Sequence, residues 1–213
     1  MTDWQEAKTR KDWPRMIQIF KDRMEFRYFG AINAMIDVDE HQPTRRYGFA
    51  ILALDCLLLE TLHQFYKGFK ESRGNGHPVI GTKREITRRG SNGQFFCEFL
   101  MQSSFVFKSF FESQHGAAIS FYKDIRCGIL HSGETQKATL IRIHKRAEDQ
   151  NELFEMIGEE EGIILYRDAF QRLLDQEFAE YCKKLKDENQ KELRRKFVKR
   201  WATFAVLTME MGN

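Results

Sequence analysis

The sequence lacks the features that mark a membrane-bound or secreted chain. It has only 3 prolines among 213 residues, which favours long uninterrupted helices over frequent turns. No apolar run approaches the roughly 18 residues needed to span a bilayer. The stretch 1–14 carries charges and two tryptophans instead of the apolar core of a signal peptide. We therefore expect a cytoplasmic protein with no membrane partner, and the length fits one domain spanning 1–213.

The cysteine pattern gives no support for a metal site. There are 4 cysteines and no C-x-x-C pair, so the spacing typical of zinc ligands is absent. Cys56 and Cys97 lie in apolar helical patterns, where cysteine behaves as a small hydrophobic side chain. We expect both to be buried reduced thiols. The sequence predicts no metal site and no cofactor.

The net charge of +3 is small, but the charges are unevenly distributed. The segment 67–89 has 7 Lys and Arg against 2 Glu, 183–200 has 9 against 3 acids, and 148–161 has 7 acids and no base. Basic clusters recruit nucleic acid, and long polar connections are often functional. The alternative is that these are solvated helix faces and a loop. The basic segment 183–200 is the alternative surface for RNA. The candidate RNA contacts are Lys67, Lys83, Arg84, Arg88 and Arg89.

Hydrophobic periodicity predicts a mostly helical chain. The predicted helices cover 14–40, 45–69, 93–113, 117–130, 167–185 and 192–209. Two short β-branched runs, 138–144 and 162–166, are separated by an acidic stretch and indicate a two-stranded appendage. We predict an all-α fold with a core bundle over 14–135, and a small two-stranded β appendage with C-terminal helices over 136–213. The 19 phenylalanines predict an aromatic-rich core.

The most informative segment is 121–132, which places Arg126 and His131 five positions apart at the end of a predicted helix. Arginine is a permanent cation with a planar donor fork suited to phosphate, and histidine can exchange a proton near neutral pH. Together they supply the minimum for metal-free cleavage of RNA. On a straight helix such positions lie about 140° apart, so we expect fraying at 128–130 that turns His131 back. The alternative is that both residues only complement the helix dipole.

An acid in the second predicted helix is the expected partner of Arg126. Glu60 lies in an apolar stretch, and a buried carboxylate is costly unless it is paired. Pairing with Arg126 would satisfy both groups and orient the guanidinium, whereas surface exposure of Glu60 is the alternative. His63 and Lys67 follow Glu60 on the same helix face, so we expect them near the same cleft.

The R-x4-H spacing, followed by Ser132 and preceded by an aromatic and acidic helix, resembles the catalytic helix of stand-alone prokaryotic HEPN proteins. The segment 53–65 resembles the acid-bearing helix of that family. The resemblance implies an antiparallel HEPN-type helical bundle, a homodimer, and metal-independent endoribonuclease activity. It implies that Arg126 holds the scissile phosphate and His131 exchanges the proton. It also implies a toxin or anti-phage role, with an antitoxin or defence-system protein as a possible partner.

Cys127 departs from the family pattern, in which the residue after the motif arginine is usually polar. A thiol is a weak hydrogen-bonding group, so Cys127 is either a reactive thiol beside Arg126 or a neutral filler. Slower or absent cleavage is therefore possible. The alternative function is a non-catalytic module that binds RNA, a nucleotide or a partner protein, and a third is a purely structural helical adaptor.

Overall fold

A computed structural model describes residues 3–42, 46–69, 92–143, 152–158 and 161–204. This part of the chain is mostly helical, with one small three-stranded sheet. The helices are α1 (Asp3–Arg10), α2 (Trp13–Met24), π1 (Glu25–Phe29), α3 (Gly30–His41), α4 (Gly48–Lys67), α5 (Asn92–Glu98), π2 (Phe99–Ser103), α6 (Lys108–Phe111), α7 (His115–Ser120), π3 (Phe121–Cys127), α8 (Gly128–Ser132), α9 (Arg167–Lys186) and α10 (Lys191–Phe204). The strands are β1 (Leu140–Arg142), β2 (Phe154–Ile157) and β3 (Gly162–Tyr166).

The first predicted helix is present as a continuous helical path through α2, π1 and α3, because the residues at both junctions keep right-handed helical angles. Its start is set by Asp12, whose carboxylate accepts the backbone N–H of Arg15 at 3.0 Å. Such a side-chain cap satisfies a backbone donor that has no partner within the helix. The sequence did not predict α1, a short helix whose Trp4 packs on Trp201 of α10 with ring centroids 4.3 Å apart.

Helix α4 runs through the core and positions one half of the candidate site. Leu58, Leu62 and Phe65 on this helix are fully buried, and a left-handed Gly68 with φ of 69° ends it. Within the described ranges, α4 is long and apolar enough to cross a membrane by length and composition alone, and about half of it is buried inside the fold. This corrects the expectation that no segment approaches that length, although a core helix of a water-soluble fold has the same composition.

The predicted helix over 93–113 is interrupted at 104–107 and resumes only as the short helix α6. The helical path through α5 and π2 ends at Ser103, because Ser104 is extended with ψ of 156°. The reason lies in α9, far along the chain. The buried carboxylate of Glu177 accepts the backbone N–H of Phe105 at 2.9 Å and of Val106 at 2.6 Å. These bonds satisfy donors that a continuing helix would have used internally.

The predicted two-stranded appendage is also corrected. The sheet has three strands in the order β1-β3-β2, with β1 parallel and β2 antiparallel to β3. The missed strand, β2, lies in the acidic stretch, where Phe154 pairs with Leu165 across the ladder. The sheet is part of the core, because Ile163 and Leu165 of β3 are fully buried.

The expected aromatic core and buried thiols are both present. Phe20 of α2 packs against Phe65 with ring centroids 4.7 Å apart, and also against rings of α9 and α10. Cys56 and Cys97 are buried and free. Burial raises the pKa of the Cys97 thiol to about 12 and raises the pKa of Cys56 as well. Both thiols are therefore neutral at physiological pH and act as apolar packing groups.

Candidate active site

The expected ion pair between α4 and π3 is present. The Nε of Arg126 donates a hydrogen bond to Oε1 of Glu60 at 2.8 Å. Arg126 is buried, at 8% exposure, and the two paired side chains are 10% and 12% exposed. Burial lowers the pKa of Arg126, but Glu60 raises it by charge and hydrogen bonding, and the net direction is upward. The guanidinium is therefore a permanent cation, and its hydrogen bond to Glu60 fixes its orientation.

His131 lies beside this guanidinium and is exposed. Its Nε2 is 3.5 Å from Nη1 of Arg126. The helix does not fray at 128–130 as expected, because α8 continues through these positions and ends at a left-handed Gly133 with φ of 74°. Instead, the long side chain of Arg126 reaches His131. The contact lies where the π-helical turn π3 joins α8. Such π-type turns occur frequently at functional sites.

The π-helical geometry of π3 also explains the environment of Cys127. Tyr122 and Cys127 lie five positions apart, which is the spacing of a π-helix turn, so the thiol is a near neighbour of the phenol. The Arg126 guanidinium carbon lies 5.7 Å from the centre of the Tyr122 ring, a cation–π contact. Burial raises the pKa of Tyr122, and the neighbouring Cys127 raises it further. Tyr122 is a site residue that the spacing of R-x4-H alone could not identify.

A close backbone contact holds the end of the motif helix. A Cβ on Gly128 would lie 2.4 Å from the carbonyl oxygen of Glu134, so the chain after α8 folds back directly onto it. The returning segment is fixed where the Gln136 N–H donates to the Asp124 carbonyl at 2.9 Å. Ser132, predicted to support the site, is exposed at the last position of α8. The absence of a side chain at Gly128 thus permits the close approach of the loop after α8.

His63 and Lys67 belong to a different cluster, centred on a glutamate of α5. The ring of His63 is fully buried 3.9 Å from the Phe95 ring centre, and its Nε2 is 3.9 Å from Oε1 of Glu98. Lys67 forms an ion pair with the same carboxylate, which is 1% exposed. Glu98, missed from the sequence, therefore holds the cation that was expected at the Glu60 cleft. RNA contact by Lys67 stays a prediction.

The four other predicted RNA contacts, Lys83, Arg84, Arg88 and Arg89, lie outside the described residues. Among the residues that the structure does describe, no group of three or more His, Cys, Asp and Glu side chains is arranged to hold a metal ion. The site itself places a fixed cation, Arg126, next to the exposed imidazole of His131.

Comparisons of the chain with protein-family models, with curated proteins and with solved structures find no match. The interpretation of the site therefore depends on its own geometry. An arginine held by a carboxylate can bind a phosphate oxygen through its remaining donors, and the neighbouring imidazole can accept or donate a proton. Arg126, His131 and Glu60 together form an arrangement suited to reactions at a phosphodiester.

Proposed function

We propose that this chain is a metal-independent endoribonuclease of HEPN type, acting on RNA through Arg126 and His131. The observation that carries the proposal is the distance of 3.5 Å between Nη1 of Arg126 and Nε2 of His131. The Nε of the same guanidinium is hydrogen-bonded to Glu60, which fixes its orientation. A single cation and a single proton carrier at this distance can both reach one phosphodiester group. We further propose a cytoplasmic location and a toxin or anti-phage role, with an antitoxin or defence-system protein as partner.

The proposed reaction uses the 2′-hydroxyl that distinguishes RNA from DNA. His131 accepts the proton of this hydroxyl while its oxygen attacks the adjacent phosphorus atom. The bond from phosphorus to the 5′-oxygen then breaks, and that oxygen takes up a proton from water. His131 releases its proton to the solvent. Arg126 donates to the phosphate oxygens, where negative charge grows in the transition state. The products are a 2′,3′-cyclic phosphate and a 5′-hydroxyl.

We also propose that the protein acts as a homodimer, so that two sites face each other. Exposed apolar side chains on α4 support this part of the proposal. Phe49 is 46% exposed and Leu57 is 41% exposed, and Leu57 precedes Glu60 by three positions on the same helix face. Both are large apolar side chains exposed on one helix, and exposed apolar patches mark interaction surfaces in soluble proteins.

A non-catalytic module that binds RNA, a nucleotide or a partner protein is the second candidate. The low exposure of Arg126, 8%, favours it, because a buried guanidinium with one donor already bound to Glu60 offers fewer donors to a phosphate. Cys127 next to the arginine favours it as well, since a thiol is a weak hydrogen-bonding group.

Incubation of single-stranded RNA with the protein in EDTA distinguishes the two candidates. The ribonuclease proposal predicts cleavage with 2′,3′-cyclic phosphate ends, because no step needs a metal ion. Intact RNA that is nevertheless bound, with an affinity that falls as salt rises, is the result expected of the binding module.

A further inference from the structure

A surface concavity of about 630 Å³ lies between the turn after π2 and the second half of α9. Its volume is within the range of pockets that hold small organic groups. None of Arg126, His131 and Glu60 lines it, so it is separate from the candidate active site. The residues that line it are Phe105, Val106, Gln176, Ala179, Glu180, Lys183 and Lys184.

The wall of this concavity is a fixed aromatic ring. Phe105 is 37% exposed, and its ring centre lies 5.0 Å from that of Tyr66 beneath it. The fully buried Glu177 carboxylate accepts the backbone N–H groups of Phe105 and Val106, and it also accepts the Tyr66 hydroxyl. One carboxylate therefore fixes both the turn that carries Phe105 and the ring that supports it. A ring held in this way loses little conformational entropy when a ligand stacks on it.

A cation lies over the face of the same ring. The Nζ of Lys184 is 4.8 Å from the centre of the Phe105 ring. Lys183 also lines the concavity. Glu180 contacts both ammonium groups, at 3.2 Å and 3.6 Å, so the lining carries two positive charges and one negative charge. The concavity opens at the start of the basic stretch 183–200, which has 9 Lys and Arg against 3 acids.

We propose that this concavity, the Phe105 pocket, binds one nucleotide of single-stranded RNA at a distance from the scissile bond. The base stacks on Phe105 in the place that the Lys184 ammonium takes in the free protein. The displaced Lys184 and Lys183 contact the adjacent phosphate, and the amide of Gln176 bonds the edge of the base. This combination of an aromatic platform and a basic edge is how single strands are held without sequence preference. The inference rests on the proposed function in one respect, namely that RNA is the substrate.

The chemistry favours a nucleotide over an acidic peptide. A peptide carboxylate would need only the two lysines, and it would leave the exposed, fixed ring of Phe105 without a role. A base uses the ring face in place of the Lys184 ammonium, and its phosphate uses the two lysines beside the ring. Both features of the Phe105 pocket are then satisfied by one ligand.

The test is binding of a fluorescein-labelled single-stranded RNA with 2′-O-methyl groups, followed by fluorescence anisotropy. The blocked 2′-oxygen prevents cleavage, so binding is measured independently of the active site. Phe105→Ala should weaken binding by about 5-fold to about 150-fold, the range for loss of one base–aromatic stack. Phe105→Trp should retain binding, because it keeps an aromatic face. The matched control, Phe26→Ala, removes a phenylalanine that is 90% exposed elsewhere and should change nothing.

A second variant separates a stacking role from a structural one. Phe105→Leu keeps an apolar side chain on Tyr66 but removes the ring, so it should weaken binding while the melting temperature stays unchanged. Lys184→Gln should reduce the slope of log affinity against log salt by about 0.7, the value for one lost contact on a single strand.

The outcomes separate this inference from the proposed function. Binding that depends on Phe105 in a protein that cleaves no RNA would support the Phe105 pocket and count against the ribonuclease. Cleavage together with unchanged binding by Phe105→Ala and Phe105→Leu would overturn the pocket alone. Dependence on the lysines without dependence on Phe105, with competition by an oligo-glutamate peptide, would also overturn it.

Discussion

Arg126 owes its position to a carboxylate 66 residues away in the sequence. This partner could be predicted, because Glu60 lies in an apolar helical stretch where an unpaired carboxylate is costly. Glu98 and Glu177 could not be predicted in the same way. Each lies on the apolar side of its helix, but their partners are a lysine on α4 and the backbone of a turn. Backbone donors leave no trace in the sequence pattern.

Replacing Arg126 with lysine tests whether the shape of the guanidinium is needed in addition to its charge. We expect Arg126→Lys to lose about 100-fold or more in kcat, because the ammonium cannot bond Glu60 and a phosphate in the same planar arrangement. Initial rates of RNA cleavage measure the loss. Arg142→Lys, a change at an exposed arginine of β1, is the control. Near wild-type activity of Arg126→Lys would exclude the proposed geometry.

Asp55 on α4 predicts a pH-dependent stability. It is fully buried, and neither carboxylate oxygen has a hydrogen-bond partner among the described residues. Burial, and then the charge of Asp175, raises the pKa of Asp55 well above its usual value, whereas Arg167 lowers it. The unfolded chain therefore loses this proton at lower pH than the folded protein does. The contribution of Asp55 to the free energy of unfolding consequently falls as pH rises from about 4 towards the pKa of Asp55 in the folded protein.

The variant Asp55→Asn removes this titration. We expect the free energy of unfolding of the variant, minus that of the wild type, to be larger at pH 8 than at pH 5. Urea denaturation at both pH values measures this difference. The gain has this sign because the folded wild type retains a proton that its unfolded chain has released. A difference between variant and wild type that is the same at both pH values would show that Asp55 is not protonated in the folded state.

At the scale of elements, the predicted starts of α4, α9 and α10 agree with the structure within a few residues, because apolar periodicity determines them. The break at Ser104 could not be predicted, since it depends on Glu177 from a distant helix. Strand β2 was missed because it is only four residues long, carries Glu155, and lies within a charged segment. Its pairing with β3 depends on a neighbour in space.

A substitution at Gly128 tests how closely the loop after α8 packs against this helix. A Cβ at this position would lie 2.4 Å from the Glu134 carbonyl oxygen, so Gly128→Ala should destabilise the protein by about 1–3 kcal/mol, the usual range for overpacking. The matched control is Gly116→Ala on α7, where the nearest atom is a Met156 methyl at 3.7 Å. That change should stabilise by about 0.4–1 kcal/mol. Equal unfolding free energies for the two variants would refute the close approach.

At the scale of the whole molecule, the sequence predicted a mostly helical protein with an aromatic core, and the structure agrees. The association of two copies is not visible in one chain, but the exposed α4 face predicts it. We expect a sedimentation mass about twice the 25.3 kDa of the monomer. Leu57→Lys should give monomers, because a charge at a buried apolar contact is costly, whereas Phe26→Lys at a 90% exposed position should not. A wild-type protein that is strictly monomeric at micromolar concentration would contradict the dimer.

The most direct test of the central claim is the rate of RNA cleavage in EDTA by the wild type and by His131→Ala. His131 is exposed at the end of α8, so the variant should fold and melt like the wild type. Loss of a general acid or base predicts a rate lower by about 100-fold to 10,000-fold, with 2′,3′-cyclic phosphate ends on the wild-type products. An unchanged rate in His131→Ala, or no cleavage by the wild type, would contradict the proposed ribonuclease.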